Sequence, residues 1–320
     1  ADSNVWQDEN LVNAYLNRMY LDAPFLNTSG QSGFNVGLIG AMGAEFRTMG
    51  PWQTPYPAAL KIIDENGAHS SMNYWGYNSV RTANEFILRL NTESNLDKSI
   101  IDKKIAEARF LRAFYYFEMV KRYGGVPIIT VPQSIDEEVL IVERDTEEAV
   151  YDFIASEMDA ISESLSDAAD ASTGRASKWA ALALKSRAMT YAGSIGEFGT
   201  PLPGEYVGIS NADKYWQMAY DTSKSIIENS GHALFNGYSS DKVKNFQELF
   251  LEENNSEVIF SEIFDEGLLR THSFSMLTMP DGFDASWGSN FNVFYDVVRL
   301  FDFEDGSSGD LSESAITAQN

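Results

Sequence analysis

The stretch AEARFLRAFYYFEMVKRYGGVPIITVP, Ala106 to Pro132, sets six aromatic rings on what reads as one helix and then ends it on Gly-Gly and Pro. Ala106, Phe110, Ala113, Phe117 and Val120 fall on one stripe at helical spacing, and Ala108, Leu111, Tyr115 and Met119 on a second, displaced around the axis. A helix lying on a single core needs one apolar stripe, so two stripes mean neighbours on two sides, as in a stack or bundle. Gly124 and Gly125 supply a left-handed C-terminal cap. Pro127 then keeps the helix from resuming, and VPIITV leaves as an extended segment.

The rest of the first two thirds follows the same logic. WQDENLVNAYLNRMYL sets Leu11, Tyr15 and Met19 on one stripe with Val12 and Leu16 beside it. Phe25 to Gly50, rich in Gly, Asn and Ser, reads as an ordered loop region. Helix returns near Met72, with Trp75, Ser79, Ala83, Phe86 and Leu90 along one side. DTEEAVYDFIASEMDAISESL opens on an Asp145 cap, and Val150, Phe153, Ile154, Met158, Ile161 and Leu165 carry its apolar face. In RASKWAALALKSRAMTYAG, Ala180, Leu184 and Ala188 keep one face small. Asp213 to Glu228 turns Trp216, Ala219, Tyr220, Ser223 and Ile227 inward. Helical pairs with short turns and alternating Ala and aromatic contacts predict a mainly α fold, a tetratricopeptide-like helical repeat scaffold, although no strict 34-residue consensus period can be laid on the chain. From about Asn254 the texture changes. EVIFSEIF alternates as a strand does, and Phe274 to Gly309 is an irregular, aromatic-rich stretch. The expected organisation is one domain over 1–320, with a helical scaffold at about 5–253 and a loop-rich region with a short strand at about 254–320.

Composition narrows the function. With 23 Lys and Arg against 47 Asp and Glu, the formal charge is −24, which repels phosphate backbones and anionic headgroups, so nucleic acid is no partner. Cysteine is absent, so disulfides and thiolate zinc sites are excluded. No phosphate loop, dinucleotide turn or nucleophile elbow occurs, and His69, His232 and His272 lack metal-ligand spacing; they read as surface or structural histidines. DFEDGSSGD departs from a calcium loop, because the positions two and four before Asp305 are Phe303 and Phe301, and it reads as a plain acidic turn. Neither metal nor cofactor is expected.

What remains are rings in polar loops. GPWQTPYPAAL holds Trp52 and Tyr56 between prolines, and PDGFDASWGSNFNVF offers Phe283, Trp287 and Phe291 among Asp284 and Asn290, with Asn73 before the second helix. Rigid rings beside Asn and Asp suit a sugar, whose apolar face stacks while its hydroxyls hydrogen-bond. The expected ligand site is therefore Trp52, Tyr56, Asn73, Phe283, Asp284, Trp287 and Asn290. The same rings would serve equally as lids folded onto the core. Trp75 and Trp216, lying in helical stripes, read as core residues.

The signature itself closely resembles that of the SusD/RagB family of nutrient-binding outer-membrane lipoproteins, in which AEARFLRAxYYFxLVxxYGGVP recurs. WQDENLVNAYLNRMY, YWGYNSVRTANEFI, RDTEEAVYDFIASEMDAISESL, GRASKWAALALKSRAMTYAG, YWQMAYDTSKSIIE and EVIFSEIF continue the likeness in the family's order. The resemblance implies tetratricopeptide-like units carrying an irregular ligand-binding region. It further implies a surface-exposed outer-membrane location through an N-terminal lipid anchor, and non-catalytic capture of an oligosaccharide, polysaccharide or peptide for a SusC-like TonB-dependent transporter. No ligand contact carries over from the signature. The chain holds no anchoring Cys, and DLSESAITAQN stands where the family continues. A C-terminal portion is thus expected to be missing, with apolar surface left bare. Two readings stay beside glycan capture: a helical protein-interaction scaffold, and a hydrolase with an acid pair recognisable only in space.

Overall fold

The computed structural model describes residues 4–24, 46–48, 74–134, 141–168, 174–200, 206–265, 267, 291–303 and 305–310. The chain divides into two compact units, one formed by Ala1–Pro24 with Tyr74–Ile263, the other by Phe25–Asn73 with Phe264–Asn320. The first unit is helical: α1 (Glu9–Asp22), α2 (Tyr77–Glu93), α3 (Lys98–Tyr123), α4 (Glu147–Ser162), α5 (Lys178–Phe198), α6 (Ala212–Asn229) and α7 (Lys242–Leu251). Each of α2 to α6 packs chiefly on its sequence neighbours, and α1 lies against α2 and α3. That nearest-neighbour pattern is the one a repeat array produces.

The signature helix α3 behaves as its two stripes require: all nine residues of both are buried. α2 and α4 close over it on either side, and α1 adds a third neighbour. Side chains cap the starts of α5, α6 and α7. Ser177 accepts from Ala180 N at 3.1 Å, Asn211 from Lys214 N at 3.1 Å and Asp241 from Lys244 N at 2.9 Å. The cap of α4 is Thr146, accepting from Ala149 N at 3.1 Å, and not the expected Asp145. Asp145 instead accepts from Ile128 N at 2.7 Å, holding the segment that leaves α3.

Two expected faces are rotated by about one residue. On α1 the buried residues are Val12, Leu16 and Met19, while Leu11 is exposed. On α6 they are Tyr215, Ala219, Thr222 and Ile226, with Tyr220 and Ile227 open to water. Polar anchors set the second rotation, because the Tyr215 hydroxyl donates to Asp152 and Glu148 of α4 at 3.0 and 3.2 Å. EVIFSEIF is not a strand: a turn and bends occupy residues 257–260, and 261–264 take no regular structure. In the second unit, β1 (Phe46–Thr48) pairs antiparallel with β2 (Phe291–Val293), Phe46 facing Val293, and α8 (Tyr295–Val298) follows.

Candidate functional site

The seven residues expected to bind ligand, Trp52, Tyr56, Asn73, Phe283, Asp284, Trp287 and Asn290, all lie outside the described residues, as do His69 and His272. The described residues nearest to Asn73 in sequence do carry an open ring. Trp75 precedes α2 instead of lying in its stripe and is 60% exposed, which corrects its assignment to the core. Its centroid lies 5.0 Å from that of Tyr77 and 5.2 Å, edge-on, from that of Tyr123. Hydrogen bonds fix the platform from below. Tyr74 N donates to the Tyr123 hydroxyl at 3.0 Å, and the Tyr77 hydroxyl donates to Pro127 O at 2.6 Å. Gly76 is needed between them, since a Cβ there would stand 2.7 Å from the Tyr74 ring. Trp216, by contrast, is half-buried, its ring against Gly193 and its Nε1 donating to Glu197 at 2.8 Å.

Below this platform the segment from Val126 to Gln133 forms a strap held by side chains where a sheet would use backbone. Asn84 Nδ2 donates to Ile129 O at 2.9 Å, Arg112 Nη1 to Thr130 O at 3.2 Å and Arg81 Nη1 to Gln133 O at 2.8 Å. The Tyr116 hydroxyl accepts from Ile129 N at 2.7 Å, and burial pushes its pKa up to about 12. A groove of about 100 Å³ runs between α2 and the strap, lined by Tyr77, Arg81, Asn84, Val131 and Gln133 among others. Arg81 also pairs with Glu85 at 2.8 Å. The groove's polar groups thus serve the fold, and the open ring beside it is Trp75.

A larger cleft of about 440 Å³ opens between α1, α3 and the start of α5, lined by Asn13, Lys103, Lys104, Glu107, Arg175 and Ser177 among others. Its buried charge is internally compensated. Glu107 accepts from the Tyr20 hydroxyl at 3.0 Å and from Arg175 at 2.9 Å, with Lys104 at 3.8 Å. Burial lowers the Lys104 pKa, and Glu107 opposes that shift.

The charged residues of the signature form clamps of the same kind. Glu157 of α4 receives Arg109 Nη2 and Arg112 Nη2, each at 2.7 Å, and Arg112 also donates to Asn84 at 2.7 Å. Burial alone pushes the Glu157 carboxyl up, but the Arg109 hydrogen bonds and the Arg112 charge outweigh it and hold it below the usual range. Sequence reasoning passed over these residues. The available signal was charge placed inside an apolar helix, which burial permits only with a partner.

Acid chemistry has little to work with among the described residues. Glu148 and Asp152 meet at the Tyr215 hydroxyl, and Lys214 holds Asp152 at 2.7 Å, so the pair ties α6 to α4. Asp305 accepts from the amide and hydroxyl of Ser307 at 2.9 and 2.5 Å, and Asp310 pairs with Arg299 at 3.1 Å. No cluster of three potential metal ligands, and no helix long and apolar enough to cross a membrane, occurs among the described residues.

Comparison with known proteins bears out the resemblance read from the signature. A SusD-like family model described as "Starch-binding associating with outer membrane" matches residues 56–189. A SusD-like protein of Bacteroides ovatus is 29% identical over 213 residues, covering 64% of this chain and 34% of its own length. A SusD-like protein of Formosa agariphila is 25% identical over 206 residues, again covering 64% of this chain and 34% of its own. Among solved structures, a SusD-like protein from Bacteroides fragilis superposes with a TM-score of 0.68 at 23% identity, covering 96% of this chain and 55% of that one. A laminarin-binding SusD-like protein superposes with a TM-score of 0.69 at 21% identity, covering 92% and 64% respectively. The fold is therefore the SusD-like one. The chain spans about a third of the length of the curated relatives it matches.

Proposed function

Starting from this likeness to the SusD/RagB family in sequence and scaffold, we propose that the chain captures an oligosaccharide or polysaccharide at a cell surface without cleaving it. The observation that carries the reading is the SusD-like match itself, a starch-binding family model over the signature joined to a scaffold shared with a laminarin-binding protein. Trp52, Tyr56, Phe283 and Trp287 supply ring faces for the sugar, and Asn73, Asp284 and Asn290 supply hydrogen-bond partners. Trp75, open and directly after Asn73 and Tyr74, extends that set. A SusC-like TonB-dependent transporter receives the captured glycan, and a lipid anchor on an N-terminal Cys would hold the protein at the outer membrane.

Calorimetric titration with neutral oligosaccharides, including laminarin and starch fragments, tests the proposal. Trp52→Ala or Trp287→Ala should weaken binding by about 1–2 kcal/mol, or about five- to thirtyfold, as a stacked ring lost from a binding face does. Unchanged affinity in both variants removes those rings from the site. Failure to bind any glycan, with co-purification of a partner chain, would favour the scaffold reading instead.

A further inference from the structure

The cleft of about 440 Å³ between α1, α3 and the start of α5 carries charge that the fold leaves unpaired. Its volume falls within the range of about 300–1,000 Å³ found for small-molecule sites. Three cations, Lys103, Lys104 and Arg175, line it against one carboxylate, Glu107, so a chain of formal charge −24 keeps a net-positive concavity here.

The fold fixes Arg175 and leaves the two lysines over. Arg175 Nη1 donates to Glu107 Oε2 at 2.9 Å, its Nη2 donates to Asn17 Oδ1, and its guanidinium lies 5.0 Å from the centroid of the Tyr20 ring. The Tyr20 hydroxyl donates to the same Glu107 oxygen at 3.0 Å and accepts from Ala176 N at 3.0 Å, which ties α1 to the start of α5. Lys104 is only 12% exposed at its side chain, yet its Nζ stays 3.8 Å from Glu107 Oε1, beyond hydrogen-bond range. Glu9, in the first turn of α1, acts on Lys104 more weakly than Glu107 or Arg175 does. Lys103 is exposed and makes no hydrogen bond or ion pair among the described residues. Asn13 of α1 keeps a buried Oδ1 that has no partner among them either.

Those three uncommitted groups define a ligand. The two ammoniums donate only, and an oxyanion answers them. A primary amide both donates and accepts, so Asn13 is matched by a group that does both, a hydroxyl. We propose that the cleft binds a small hydroxy carboxylate such as a sugar acid, its carboxylate between Lys103 and Lys104 and a hydroxyl on the Asn13 amide. The positive lining acts at short range whereas the field of the whole chain is negative, so a singly charged small acid is favoured over a polyanionic chain. The proposal stands apart from glycan capture, and none of its groups belongs to the expected ring site.

Calorimetric titration of the 320-residue chain with D-glucuronate, D-glucose, acetate and inorganic phosphate tests it. Glucuronate should bind at least about tenfold more tightly than the other three, and its affinity should fall as salt rises from about 0.01 to 0.15 M. Lys103→Glu, at an exposed and unbonded position where the fold loses nothing, should weaken glucuronate about tenfold or more, and Lys104→Gln about three- to tenfold. Asn13→Ala should narrow the gap between glucuronate and acetate. Trp52→Ala and Trp287→Ala should leave glucuronate binding unchanged, which separates this cleft from the site of glycan capture. The proposal is overturned by absence of glucuronate binding, by unchanged affinity in both lysine variants, or by equal affinity for glucose. Acetate or phosphate bound as tightly as glucuronate overturns it too, since the cleft would then take a bare anion. So does loss of glucuronate binding in either tryptophan variant, which would assign the acid to the rings.

Discussion

A charge buried in a helix interface is tolerated only while its partner is charged too, which makes Glu157 and Glu147 opposite cases on the same helix. Replacing Glu157 by Gln leaves Arg112, 6% exposed, without its counter-charge and should cost about 3–5 kcal/mol in urea unfolding at pH 7. Because the folded carboxyl titrates below its ordinary value, its stabilisation is complete above that value and is lost as pH falls through the folded pKa. The gap between wild type and Glu157→Gln should accordingly close under acid conditions and stay constant from pH 6 to 8. Glu147 has a raised pKa, from burial that a hydrogen bond from Gly208 N at 2.7 Å only partly offsets. Its ionisation therefore opposes folding as pH rises through the carboxylate range. Glu147→Gln, which keeps an acceptor for Gly208, should be neutral or stabilising by up to about 1 kcal/mol at pH 7 in the same assay. A destabilised Glu147→Gln variant would show that the residue acts as a charge and not as an acceptor. Neither role was legible in the sequence, where both residues look like ordinary helix-surface acids; only the facing helix distinguishes them.

Elements that periodicity governs were legible, and those that long-range bonds govern were not. The two stripes of α3 follow from spacing alone. The rotations of α1 and α6 do not, because on α6 Tyr215 is drawn inward by carboxylates on a different helix. The Gly-Gly stop shows the same division. Gly124 takes the positive φ of 68° expected of it, although its ψ of −136° lies outside the left-handed helical region. Gly125 has no positive φ; it is small because a Cβ would stand 2.0 Å from Asp145 O and 2.9 Å from Glu147 N, a requirement set by residues 20 and 22 positions away. Gly125→Ala should thus destabilise by about 3 kcal/mol or more and Gly124→Ala by about 1–2 kcal/mol, with denaturant midpoints deciding the order. The strap supplies a finer probe. Tyr116→Phe removes the acceptor for Ile129 N while preserving the packed ring, which costs about 1–3 kcal/mol for the stranded amide. Equal stability of Tyr116→Phe and wild type would mean that the strap is held by packing.

For the whole molecule, the sequence identified the scaffold more readily than a candidate site. Helices announce themselves through period, whereas the candidate rings fall in stretches of sequence without one, and no spacing rule reports how such stretches meet. Trp75 illustrates the limit: its spacing fits the α2 stripe, but the helix begins at Tyr77, and two residues outside it the ring stands in water. One property does act at the scale of the whole chain, the charge of −24, and it separates ligand classes. A neutral glycan held by stacking and hydrogen bonds has no Coulomb energy with that field, so its affinity should change less than about twofold between 0.01 and 0.15 M salt. A polyanionic glycan of equal length meets a repulsive field whose reach falls from about 30 Å to about 8 Å over the same range, so its binding should strengthen as salt is added. Titrating a neutral and a sulfated or uronate-rich oligosaccharide at both ionic strengths reads the difference directly. Tighter binding of the anionic ligand at low salt would mean that the binding surface carries a local excess of cations against the net charge, and the neutral-glycan reading would give way to one built on Lys and Arg contacts.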